Sequence, residues 1–346
     1  MEELWSCIMI KFGKISLIIF ITIIILILCL SVGVVKIDFL QTADILKNLI
    51  LNKPENSILN DVIYYFRLPR FITALIVGSS LAVCGCVMQA VLCNPLAEPY
   101  ILGISSGASL GAVIGILLDI TQIFYFDSIG IFSFIGAVTV SLIIVVLNNI
   151  FYKNNTFSLL LSGIALNGVC SACVSLLITL YSDAEKIQNI TFWLMGNLGN
   201  ANWGNLKILS LIALISIVFF CSRFRVLNMM LFGDNIAVTL GKNLGKARQV
   251  YIIVIAILIG MIVYNVGMIG FVGLIIPHLC RQVVGSNHLY LVPFSAITGG
   301  IFLVFADLCS KLLLYEGEIP IGIIVSVIGS PVFLYMLYSP KYGVRA

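Results

Sequence analysis

Charge is what this sequence has least of. Only 10% of its 346 residues are Asp, Glu, Lys or Arg, against 61% hydrophobic, and the mean hydropathy is +1.15. That leaves too little polar surface to coat a soluble globule. Histidine is scarcer still, with 2 in the chain. His278 adjoins Pro277 and His288 lies in a polar loop, and neither has a carboxylate, serine or cysteine at a spacing that suits acid–base or nucleophilic chemistry. Enzyme activity is therefore not expected. The net charge of +4 is spread thinly, without the basic and aromatic interleaving that tracks nucleic acid. A phosphate loop is missing too: Gly241 to Ala247 reads G-K-N-L-G-K-A, with three residues between its glycines, Ala where Ser or Thr is needed, and no preceding strand. Energy for any transport must come from a partner or a gradient. The 10 cysteines lie almost all within or beside apolar runs. Cys170-x-x-Cys173 has no second ligand pair, so the cysteines read as small packing residues and no metal or cofactor is expected.

What the chain does contain is a succession of apolar runs, each near the ~20 residues that a helix needs to cross a bilayer. They fall at about 15–35, 71–92, 99–118, 128–151, 157–182, 203–222, 289–306 and 319–338. A longer run, Val250 to Cys280, holds Gly267, Gly270, Gly273 and Pro277. It reads as two spans, near 250–266 and 269–284, since one helix would be about 46 Å long in a core of about 30 Å. The expectation is an all-α integral membrane protein of about ten transmembrane helices, forming a single polytopic domain over residues 1–346. The first run exceeds a signal-peptide core and has no small-residue cleavage site after it, so it reads as a retained span.

Ten spans put both termini on one side of the cell membrane. With that side cytoplasmic, eleven of the 19 basic residues fall inside, including Lys11, Lys14, Arg223, Arg225, Lys246, Arg248 and Arg345, as the positive-inside rule requires. A nine-span alternative, with 250–280 as one tilted helix, would move the C-terminus outside.

Four features stand out. Gly103, Gly107, Gly111 and Gly115 recur every four residues, a stripe that another helix can approach closely. Arg67-Leu-Pro-Arg70 marks the outer start of the second span, either as an interfacial anchor or as two forks for carboxylates of an external partner. Asn94-Pro-Leu-Ala-Glu-Pro99 makes an inner turn. The longest inner segment, 223–248, has apolar Ile236, Ala237 and Leu240 at helical steps between Gly233 and Gly241. It suits an interfacial helix or a knob offered to a soluble motor.

These segments together resemble the FecCD-type permease family of ABC importers for iron-siderophores, haem and cobalamin. Arg67 to Arg70, then Gly78, Gly85, Gln89, Asn94 to Pro99, Leu102-Gly103 and Gly107-Ala108 follow its first signature in order and spacing. Gly267 to Arg281, reading G-M-I-G-F-V-G-L-I-I-P-H-L-C-R, is similar to a second, and Glu318 to Gly322 with Gly329 to Phe333 to a third. The resemblance implies a type II ABC importer permease: a ten-span subunit paired with a second permease subunit, identical or paralogous. It also implies two cytoplasmic ATP-binding subunits and an extracytoplasmic substrate-binding protein. On the same footing, Arg67, Arg70 and Lys311 match residues that meet acids of the binding protein. Gly233, Asp234, Ala237, Leu240 and Gly241 match the segment that couples to the ATPase, and Asn94, Leu96, Thr156 and Ser158 match a cytoplasmic gate. Lys311, often arginine in relatives, offers a point charge in place of a fork. Two other classes remain open at this point: a gradient-driven secondary transporter, for which Asp307 is the candidate ion-site acid, and a non-transporting membrane scaffold or receptor.

Overall fold

A computed structural model of the chain describes residues 28–33, 37–51, 57–119, 122–123, 126–151, 156–181, 183–233, 244–313 and 317–338. Its helices are α1 (Phe39–Ile50), α2 (Leu68–Val91), α3 (Ile104–Leu117), α4 (Ser128–Phe151), α5 (Thr156–Tyr181), α6 (Ala184–Leu194), α7 (Trp203–Ser222), α8 (Phe224–Met230), α9 (Gly245–Val266), α10 (Val272–Val284), α11 (His288–Leu312) and α12 (Ile321–Tyr338). One two-residue ladder, Gln122–Ile123 with Phe126–Asp127, joins α3 to α4. The protein is all-helical. Six helices have the length and apolarity of membrane spans, and three shorter apolar ones accompany them, among the described residues. Of the first expected span, only residues 28–33 are described.

The described apolar helices fall where the sequence reading places spans, and those expected from about 71 and 250 begin earlier for a visible reason. In the first of these, a turn at Ile58–Asp61 and a π-helical stretch at Val62–Arg67 run without interruption into α2. Pro69 has no N–H to give, and the wider π register, in which Leu68 N–H reaches Ile63 O, carries the rod across it. Arg67 and Arg70 therefore lie inside a helical rod and not at the start of one. The span expected from Val250 begins at Gly245, because the guanidinium of Arg248, 2% exposed, is drawn inward to donate through Nε to Val91 O at 3.2 Å. The expected break after it is present. Gly267 at φ +69 ends α9, and α10 starts only after Phe271, a non-glycine residue at φ +64.

α2 is the axis of the bundle. Its spanning stretch is 83% buried, whereas that of α5 is 11% buried, which leaves α5 on the periphery. α2 packs on α7, α9, α10 and α11, and two glycines set how closely. A Cβ on Gly78 would lie 2.2 Å from Gly299 O, and one on Gly85 1.8 Å from Gly273 O, so backbone rests on backbone at both levels. Glycine 103 stands in the left-handed region at φ +70 as the N-cap of α3, one residue before the helix. Gly107, Gly111 and Gly115 line the face of α3 against Gly136, Phe132 and Ile129 of α4. The glycine stripe is packing within the subunit.

Candidate functional site

At one end of α2, a compact ion network joins residues far apart in the chain. The Arg70 guanidinium donates from Nε and Nη2 to Asp307 Oδ1 at 2.9 and 2.7 Å, and from Nη1 to both oxygens of Glu318 at 2.7 and 2.6 Å. Lys311 Nζ lies 2.7 Å from Asp307 Oδ2, one helical turn along α11. Arg67, 8% exposed, turns away from this group and donates to the carbonyls of Leu30 and Ser31. The structure thus brings Arg70 and Lys311 together on one buried carboxylate and places Arg67 beside them on main-chain acceptors. Sequence reading named the three cations, and Asp307 separately as a candidate ion-site acid, but not the pairing of Arg70 and Lys311 with Asp307 or of Arg70 with Glu318. Asp307 and Lys311 stand four apart on one helix, a legible pair; Glu318 is legible only as part of the third signature.

At the same end, a cavity of about 850 Å³ opens between α3, α6 and α9, lined by Asp119, Asp183, Trp193, Asn197, Tyr264 and Gly267 among others. α6 was not expected from sequence. Asp183 caps it by accepting from Lys186 N–H at 2.8 Å. Beyond α6 the chain is stitched to α12 and to the end of α9: Ile321 N–H donates to Gly196 O at 3.2 Å, Gly322 N–H to Met195 O at 3.0 Å, and Asn197 N–H to Val266 O at 2.8 Å.

Midway along the bundle, the first two signatures meet. Arg281 Nη2 donates to Gln89 Oε1 at 2.9 Å, and Gln89 Nε2 donates on to Leu274 O at 3.3 Å. Glu98, in the connection between α2 and α3, accepts from Phe271 N–H at 2.7 Å. A carboxylate here faces the N-terminus of α10 and takes the N–H of its capping residue Phe271, which accounts for an acid in a short turn that carries no base.

At the opposite end, Asn94 Oδ1 accepts from Leu96 N–H at 2.9 Å, closing a side-chain turn after Cys93 at φ +49. Cys93 Sγ donates to Met230 O at 2.9 Å, which joins this turn to the last residue of α8, three before Gly233. α8 is in turn fixed to α11, since Asn228 Oδ1 accepts from His288 N–H at 2.9 Å and lies 2.8 Å from its Nδ1. Ser158 is buried near the start of α5, and Gly163 brings α5 against Ile101 and Leu102. Thr156 is the first residue of α5. Gly233 ends the described stretch at φ +82; Asp234, Ala237, Leu240 and Gly241 fall outside the described residues. Among the described residues no group of three metal-ligating side chains gathers.

An all-helical bundle around a glycine-packed axis, with six helices long and apolar enough to cross a membrane among the described residues, is that of a multi-pass membrane protein. The chain matches the FecCD transport family over residues 21–339 and belongs to it. It is 37% identical over 292 residues to the hemin transport system permease protein HmuU of Yersinia pestis, covering 83% of this chain and 87% of that one. It is also 37% identical over 291 residues to the vitamin B12 import system permease protein BtuC of Vibrio vulnificus, covering 83% and 84%. Among solved structures, an inward-facing conformation described as a metal-chelate type ABC transporter superposes with a TM-score of 0.80 at 31% identity, over 95% of this chain and 98% of that one. PsaBC from Streptococcus pneumoniae in complex with Fab shares the fold at a TM-score of 0.52 and 16% identity.

Proposed function

We propose that the chain is the membrane-spanning subunit of an ATP-driven importer for an iron chelate, haem or cobalamin. It would work beside a second permease subunit, with two ATP-binding subunits on the cytoplasmic side and a soluble substrate-binding protein outside. Both termini would be cytoplasmic. The observation that carries this reading is the near full-length relationship to permeases of hemin and vitamin B12 systems. In this assignment the Arg67, Arg70 and Lys311 end receives the binding protein and the cavity beside it faces outward. The turn at Asn94 and Leu96, with Thr156 and Ser158, gates the inner end. Gly233 to Gly241 seats in the ATPase, and the bond from Cys93 to Met230 joins the gate turn to the approach of that segment.

The alternative of a gradient-driven carrier loses its candidate ion site, because Asp307 is already engaged by Arg70 and Lys311. Uptake by vesicles that hold the chain with its copurified ATPase tests the proposal. They are given ATP, the cognate binding protein and a panel of ferric siderophores, haem and cobalamin. ATP-dependent accumulation of one ligand is the expected result. Uptake driven by an ion gradient without ATP, or none at all from an intact assembly with loaded binding protein, overturns it.

A further inference from the structure

Arg70 divides its donors between two carboxylates of unequal standing. Asp307 has a side chain 2% exposed and is held from both sides, by Arg70 through Oδ1 and by Lys311 through Oδ2. Breaking that arrangement strands charge away from water. Glu318 has a side chain 36% exposed and meets the outer Nη1 of the same guanidinium. A pair so open to solvent contributes little, and water or another carboxylate can replace it at small cost. The four groups sum to zero formal charge, two cations against two anions; with Glu318 swung away, the remaining three carry +1. Glu318 therefore both mutes the positive end of α2 and occupies the fork that an incoming acid needs.

We infer that Glu318 is an internal stand-in for a carboxylate of the docking protein, and that docking proceeds by exchange: an acidic side chain of the external partner takes Arg70 Nη1 while Asp307 keeps the other edge. This rests on the reading of Arg70 and Lys311 as the docking site. The exchange also has a mechanical consequence. Glu318 follows Gly317 at φ +99 and leads into a segment tied down by main-chain bonds, from Ile319 N–H to Ser310 O at 3.4 Å, Ile321 N–H to Gly196 O at 3.2 Å and Gly322 N–H to Met195 O at 3.0 Å. Met195 and Gly196 lie between Trp193 and Asn197, both of which line the cavity. Freeing the Glu318 end of this segment loosens the cavity rim at the moment a partner arrives.

The test titrates ligand-free binding protein onto the assembled transporter in nanodiscs and reads Kd for wild type, Glu318→Gln and Arg70→Ala. Removing the competing charge is expected to tighten docking roughly fivefold, while Arg70→Ala weakens it. If Arg70→Ala weakens docking but Glu318→Gln leaves it unchanged or weaker, the exchange is wrong and the docking site stands. If Arg70→Ala has no effect, the docking reading itself falls. Hydrogen exchange on the wild-type assembly gives a readout independent of either variant. The amides of Ile319, Ile321 and Gly322 should lose protection when the binding protein is added; unchanged protection overturns the exchange.

Discussion

A single buried carboxylate organises the Arg70 end of this molecule. Asp307 accepts from a residue 237 positions away and from another four positions away. Replacing it by Asn leaves two cations facing each other in a poorly hydrated pocket. Asp307→Asn is therefore expected to cost about 3 kcal/mol of stability, seen as a lower unfolding temperature of the detergent-solubilised protein. Glu318→Gln at the open side of the same network should leave that temperature nearly unchanged. How such a cluster reads from sequence depends on which contacts are local. The i,i+4 spacing of Asp307 and Lys311 is visible in the chain, and so is the unusual pairing of Arg67 and Arg70 around a proline. That Arg70 reaches Asp307 while Arg67 folds back onto Leu30 and Ser31 is a property of packing, which no spacing rule contains. The same holds for Glu98, whose place in its turn makes sense only once Phe271 N–H is found opposite it.

Helices were legible wherever charge and apolar length together define a span, and misread where a charge is neutralised inside the bundle. α11 runs to Leu312, beyond the boundary that Asp307 suggests, because Lys311 pairs with that acid within the helix. α9 begins before Arg248 because a main-chain carbonyl receives it. α1 and α6, at 12 and 11 residues, are too short to register as spans; their signals are the capping aspartates Asp38 and Asp183. The break at Gly267 to Phe271 was readable from its glycines, whereas its partner surface on α2 was not. That contact makes the strongest prediction at this scale. Gly85→Ala forces a Cβ against the Gly273 carbonyl, at 1.8 Å in the present geometry, while Gly168→Ala meets nothing within 4 Å. The first is expected to destabilise by at least ~1–3 kcal/mol and to reduce the yield of folded protein on size-exclusion chromatography; the second should behave as wild type.

For the whole molecule, the proposal is that nucleotide-driven motion enters through Gly233 to Gly241 and leaves through the turn at Asn94. Ala237→Glu places a bulky charge in the segment assigned to the ATPase contact, outside the described residues. The variant is expected to assemble in the membrane and to dock the binding protein, yet to lose at least about tenfold in ATP-dependent uptake, a coupling loss near 1.4 kcal/mol. Undiminished uptake from vesicles that contain it would place the coupling elsewhere. The broken helix bears on a different stage of the molecule's life. α10 has 13 residues, about 20 Å of helix against a hydrocarbon core of about 30 Å, so it cannot settle in lipid alone as it leaves the ribosome. It must wait for α2, made nearly two hundred residues earlier, and dock onto the groove kept open at Gly85. Until then that groove is an unfilled seam in a nascent protein, so biosynthesis has a late and vulnerable closing step. Chains truncated before residue 284 should be recognised by membrane quality control even though most of their spans are complete.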